Sequence, residues 1–115
     1  MPLIQFQTNQ FLSDGGASAA SQELSALLAE LLQKPESYVQ VVVEGGIMMS
    51  FGGTTDPTAL LQLSSLGLSE RQAAECSKRL CRLMEERFSI PAGRVYIKMA
   101  DHPRKLWGWN GGTFG

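Results

Sequence analysis

The sequence predicts an α/β fold, an α+β two-layer sandwich in which duplicated β-α-β units set two helices on one face of a sheet. Three observations carry this. Stretches alternating with a period of two are interleaved with two long stretches of helical period. The order strand–helix–strand occurs twice, with the same step from Leu3 to Val39 as from Ala59 to Val95. One side of every strand is apolar, and the other is mixed. At 115 residues the chain fits a single domain, residues 1–115, with a real but modest core.

Each element has its own warrant. Leu3 to Asn9 alternates Ile4, Phe6 and Thr8 against Leu3, Gln5 and Gln7, which predicts a strand. Ser13-Asp14-Gly15-Gly16 reads as a flexible link. From about Ser18 to Gln33, Leu24, Leu27, Leu28, Leu31 and Leu32 share one helical stripe. Lys34-Pro35 stops that helix, because proline restricts the residue before it and cannot continue the turn. Tyr38 to Glu44 is the second strand, ended by Gly45-Gly46. The short apolar stretch Ile47 to Phe51 leads into the loop Gly52 to Pro57.

Ala59 to Leu66 is the third strand. Ser69 with Gln72 three residues on makes a capping box. The helix it opens runs to about Phe88, with Ala73, Cys76, Leu80, Leu83 and Met84 inward. Its Glu and Arg residues form a solvated face. Pro91-Ala92-Gly93 ends it, and Arg94 to Met99 is the fourth strand. Each crossover is long enough for a right-handed parallel connection.

Composition narrows the function classes. Hydrophobic content of 43% and charged content of 18% describe a folded globular chain. A net charge of -1 argues against nucleic acid or anionic membrane as the main partner. No apolar run approaches the roughly 18 residues of a membrane span, and no basic-then-apolar leader pattern is present. The expected location is therefore the cytoplasm, with export lacking a leader left open. Cys76 and Cys81 lie five residues apart on a helix, about 140° around it, and so face apart. They form neither a disulfide framework nor a CxxC pair.

Two features point toward a site and an assembly. Pro2 directly follows Met1, which is normally trimmed before so small a residue. Trimming leaves a secondary amine, a base that no internal residue supplies, held by the strand behind it. Taken alone, Pro2 also fits a merely stable N-terminus. On the sheet, Ile4, Phe6, Val39, Val41, Val43, Leu61, Leu63, Val95, Ile97 and Met99 make one apolar face. The other carries Gln5, Gln7, Gln40, Gln62, Ser64 and Lys98 among Leu3, Val42 and Tyr96. A parallel sheet is seldom bare on one side, so subunits are expected to cover each other.

Pro2 and its strand come first in an ordered set of motifs. Lys34-Pro35, Ser50-Phe51-Gly52-Gly53-Thr54-Thr55-Asp56-Pro57 and Ser65-Leu66-Gly67 follow. Arg94-Val95-Tyr96-Ile97, Gly108-Trp109-Asn110 and Thr113-Phe114 complete it. The chain closely resembles the macrophage migration inhibitory factor branch of the tautomerase superfamily, from end to end. The resemblance implies a homotrimer of β-α-β-β-α-β subunits, each a four-stranded mixed sheet backed by two antiparallel helices. Short strands near Ile47 and Trp107 are implied to extend a neighbour's sheet.

The implied activity is keto–enol tautomerisation of an aryl α-keto acid such as phenylpyruvate, with dopachrome-like compounds as further substrates. Pro2 is the implied general acid/base, and no cofactor or metal is called for. Lys34 and the Leu66 N–H would hold the carboxylate, with Ser65 shaping that turn. Tyr96 from an adjacent subunit would sit near the amine and keto oxygen, and Trp109, Phe114 and Leu3 would wall the aryl group.

Lys98 stands where many relatives have asparagine, and would place a second cation beside Lys34. Thr58 and Leu61 stand where vertebrate members carry CxxC, so thiol–disulfide exchange is not supported. Arg104-Lys105 make the rim basic, and Trp107 replaces a smaller apolar residue. Alone, Lys34 also suits a helix C-terminus, and Tyr96, Trp109 and Phe114 suit packing. Phe51 reads as core and His102 as an exposed loop residue without partners. Beside the enzyme reading stands a cytokine-like signalling or interaction protein, receptor unspecified, in which the tautomerase site is secondary.

Overall fold

The computed structural model describes residues 1–115. The elements are β1 Leu3–Thr8, α1 Asp14–Leu32, β2 Gln40–Glu44, β3 Ala59–Ser65, α2 Glu70–Phe88, β4 Val95–Asp101, β5 Gly108–Trp109 and β6 Gly112–Thr113. The first four strands form one sheet in the order β2-β1-β3-β4. β1 runs parallel to β2 and β3 parallel to β4, while β1 and β3 are antiparallel. Each β-α-β unit is therefore parallel within itself, and the two meet at an antiparallel seam. This is the mixed sheet that the resemblance implied.

Register decides which residues meet. Ile4 lies across from Val41 and Leu63, and Phe6 from Val43 and Leu61. Leu61 and Leu63 in turn face Ile97 and Met99. Ile4, Phe6, Leu61 and Leu63 are buried beneath Leu24, Leu28 and Leu32 of α1 and Cys76, Leu80 and Met84 of α2. Each such side chain removed from water stabilises the fold by about 1.5–3 kcal/mol. Phe6 and Phe88 join sheet to helix, ring centroids 5.2 Å apart.

Several boundaries differ from expectation. α1 begins at Asp14 rather than Ser18, because Ser13 caps it by accepting from the Gly16 N–H. That cap and an acid in the first turn outweigh the cost of two glycines. β1 stops at Thr8 because the Asn9 side chain leaves the ladder. Its amide donates to the Thr55 and Asp56 carbonyls and accepts from the Thr58 N–H. β2 begins at Gln40, two residues late, since residues 36–38 form a 3₁₀ turn. β3 ends at Ser65, one residue early, and β4 runs on to Asp101. The capping box at Ser69 and Gln72 is present.

A short hairpin forms near Trp107, but Ile47 belongs to no strand. A strand needs a partner ladder, and the single chain offers none there. Cys76 and Cys81 are free, and burial foremost pushes both thiols above their usual range. No helix is long and apolar enough to cross a membrane. The helix-free face of the sheet leaves Gln5, Gln40, Val42, Tyr96 and Lys98 exposed.

Candidate active site

Pro2 is buried at the mouth of the sheet, where its carbonyl accepts from the Gln40 N–H at 3.0 Å. Leu3 lies across from Ser64, so the antiparallel register continues to place Pro2 across from Ser65. Above it opens a cleft of about 310 Å³, walled by Met1, Pro2, Tyr38, Trp107, Trp109 and Phe114 among others.

The aromatic wall is built by the hairpin of β5 and β6. Its turn, Asn110-Gly111, has positive φ at both positions (51° and 81°), the combination that suits a two-residue hairpin. The turn brings Trp109 and Phe114 into a stack, 5.8 Å between centroids and 10° between planes. Tyr38 meets Trp109 edge-on at 5.6 Å. The Phe114 carbonyl accepts from Arg104 Nε at 3.2 Å, and the Phe114 N–H donates to Trp107.

Charge around the cleft is positive. The Met1 α-amine there is held below its usual range, first by desolvation and then by Lys34 and Arg104. Lys34 is brought there by the end of α1. Gln33 takes a left-handed conformation (φ 53°) and the Lys34 N–H turns back to the Ala29 carbonyl.

At the β3–α2 turn, Ser65 and Leu66 are buried. The Gly67 and Leu68 N–H groups donate to Asp101, whereas the Leu66 N–H has no partner within the chain.

Among the expected site residues, Pro2, Trp109 and Phe114 share the cleft, with Lys34 acting on it through charge. Leu3 lines an adjoining hollow of about 320 Å³ with Ser64, His102 and Trp107. Tyr96 and Lys98 are elsewhere. Tyr96 lies across from Leu60, which lies across from Gln7. That row is five residues along β1 from Pro2 and two strands over, so about 17 Å by about 10 Å separate them. Tyr96 packs edge-on against Phe51 at 4.8 Å, beside an apolar hollow of about 410 Å³. Lys98, level with Gln62 and Gln5, is exposed on the same strand.

Tyr38 at the cleft escaped the sequence reading, its only hint being an aromatic just past the Lys34-Pro35 turn. The basic rim expected at Arg104-Lys105 is represented by the charge that Arg104 exerts on the cleft. His102 corrects an expectation. It is half-buried, edge-on to Trp107 at 5.3 Å, with Nε2 3.3 Å from the Leu106 carbonyl. Phe51 is only half-buried, with the Arg94 guanidinium 5.4 Å from its ring centroid.

Comparison with known proteins places this architecture. The family model described as "Macrophage migration inhibitory factor (MIF)" matches residues 1–115. A macrophage migration inhibitory factor of Xenopus tropicalis is 38% identical over 115 residues, 99% of each chain. A homolog from Brugia malayi is 35% identical across the full length of both. The crystal structure of the Prochlorococcus marinus homologue superposes with a TM-score of 0.93 at 43% identity, covering 98% of this chain and 99% of that one.

Proposed function

The chain belongs to the macrophage migration inhibitory factor family of the tautomerase superfamily, and on that premise we propose that it is a keto–enol tautomerase of aryl α-keto acids. Family membership supports isomerase-type activity. The substrate class and the residue roles are this reading's own. One observation carries it. Pro2, just ahead of β1, is buried beneath an aromatic-walled cleft, in which desolvation, Lys34 and Arg104 hold down the pKa of the Met1 α-amine next to it.

In this reading Met1 is removed and Pro2 becomes a secondary amine, partly free base near neutral pH because desolvation and nearby cations disfavour its charged form. It takes the proton from the benzylic carbon of the keto form and, as the prolinium so formed, returns it to the keto oxygen, which leaves the enol and the free amine. The reverse transfers regenerate the keto acid. Lys34, and in this chain also Arg104, offset the substrate carboxylate, which the Leu66 N–H receives. Ser65 shapes that turn. Trp109 and Phe114 flank the aryl ring, with Tyr38 and Trp107, while Leu3 walls the adjoining hollow. Ultraviolet absorbance across a panel of α-keto acids tests the reading, with phenylpyruvate and dopachrome-like compounds expected as substrates. No turnover of any of them by chains starting at Pro2 would refute it.

The distance between Tyr96 and Pro2 within one chain adds a requirement: Tyr96 reaches a Pro2 amine only across a subunit boundary. Together with the uncovered sheet face, this supports a homotrimer with composite sites. Sedimentation equilibrium at micromolar concentration is expected to give three times the subunit mass. A stable monomer would remove Tyr96 from the mechanism.

Lys98 follows the same geometry. Contributed from a neighbour, it adds a cation for the carboxylate and against the prolinium. Lys98→Asn is expected to raise KM for phenylpyruvate by about two- to tenfold. Losing a cation raises the amine pKa, so the acidic limb of the pH–rate profile moves to higher pH. If neither parameter moves, Lys98 points away from the cleft.

The second reading, a cytokine-like signalling factor acting on a protein receptor, rests on the name borne by the curated relatives. It predicts a surface activity that survives loss of the Pro2 amine.

A further inference from the structure

We propose that Asp101 is a positioning residue, whose carboxylate holds the β3–α2 turn in the shape that aims the Leu66 N–H toward the cleft. The proposal rests on the reading above, in which that N–H receives the substrate carboxylate. Asp101 ends β4 and lies across from Ser65. Its Oδ1 accepts from the Gly67 N–H at 2.9 Å and the Leu68 N–H at 3.2 Å. The next residue, His102, donates its N–H to the Ser65 carbonyl at 2.7 Å. The residues on both sides of Leu66 are thus tied to one strand end.

Leu66 itself is buried, 3% exposed as a whole residue, while its N–H donates to nothing in the chain. Gly67 turns the backbone away at φ +75°, a conformation that glycine adopts without strain. An anionic acceptor shared by two successive N–H groups makes stronger hydrogen bonds than a neutral one. The antiparallel register sets Pro2 across from Ser65, one residue from the free donor. With Asp101 truncated, water replaces it on two exposed donors and the turn loses its fixed direction. Misplacing a binding group by about 1 Å is enough to weaken it severely.

The two effects of Asp101 separate in two variants. Asp101→Ala removes the acceptor and the charge, whereas Asp101→Asn keeps an oxygen acceptor at the same place. With chains starting at Pro2, Asp101→Ala is expected to raise KM for phenylpyruvate about tenfold while kcat changes little. For the methyl ester, which lacks the carboxylate charge, KM should move by less than about twofold. Asp101→Asn should stay within about threefold of the parent on the acid.

Amide hydrogen exchange gives a readout that needs no turnover. The Gly67 and Leu68 amides are expected to exchange at least about tenfold faster in Asp101→Ala. Unchanged exchange, or an equal loss for acid and ester, overturns the proposal. A parent protein inactive on every α-keto acid would refute the tautomerase reading instead, and the exchange rates would still decide whether Asp101 holds the turn.

Discussion

Replacing Pro2 with glycine is expected to lower kcat for phenylpyruvate tautomerisation by about 10²–10⁴-fold, the range that a positioned general acid/base contributes. The glycine variant keeps an N-terminal nitrogen, so it tests more than the presence of an amine. It loses the ring that fixes φ and the apolar bulk that dries the nitrogen. A better-solvated, mobile primary amine is charged over more of the pH range and is aimed less well. KM should move little, because Lys34, the Leu66 N–H and the aromatic wall are untouched. The fold should hold too, since the residue 2 carbonyl still accepts from Gln40.

The pH profile sharpens this prediction. The surroundings that lower the Met1 α-amine pKa, desolvation first and then Lys34 and Arg104, are expected to act in the same direction on the amine that Pro2 exposes once Met1 is removed. In the proposed mechanism the active species is the free base. Activity of the parent protein should therefore rise with pH through an apparent pKa below the usual range of a prolyl amine. In the glycine variant, where Lys34 and Arg104 remain but the drying ring is gone, that limb should move to higher pH while keeping part of its depression. Wild-type turnover from Pro2→Gly would overturn Pro2 as the general acid/base.

Much of the architecture was legible in the sequence because local and long-range preferences agree. The Leu24, Leu28 and Leu32 stripe and the Ser69–Gln72 box are short-range signals that no tertiary contact opposes. Alternation at Ile4 and Phe6 specified the buried face, because a slip of one residue would expose both. The errors arose where a single side chain decides a boundary. Ser13 captures the Gly16 N–H and converts an apparent link into the first turn of α1. Asn9 spends its side chain on the 55–58 loop and ends β1 one residue early.

The site was less legible, because it is assembled from distant segments. Pro2, Trp109 and Phe114 come together only through the β5–β6 hairpin. Nothing local to Tyr38 indicates that it will meet Trp109 edge-on, since that contact depends on where the 3₁₀ turn after Pro35 lands. His102 looked partnerless because its neighbour in space is Trp107, reached by the intervening turn at Arg104–Leu106. The antiparallel seam between the two units came from family likeness, not from spacing. A step repeated in both units does not say which way the second unit runs.

The structure carries Met1 ahead of Pro2, and Met1 lines the same cleft. In that form the Pro2 nitrogen is a tertiary amide, its lone pair delocalised into the carbonyl of a planar peptide bond. It cannot take up a proton near neutral pH. Met1 also lines the cleft in which the proposed reaction places the substrate. Retention of Met1 is therefore expected to abolish turnover, whatever the state of Lys34, Leu66 or the aromatic wall.

Intact-mass spectrometry paired with phenylpyruvate turnover on the same preparations tests this most directly. Samples trimmed to different extents by a methionine aminopeptidase should show activity proportional to the fraction of chains that begin at Pro2, with no activity extrapolated to zero trimming. Full turnover from a preparation whose mass shows Met1 on every chain would contradict the Pro2 mechanism.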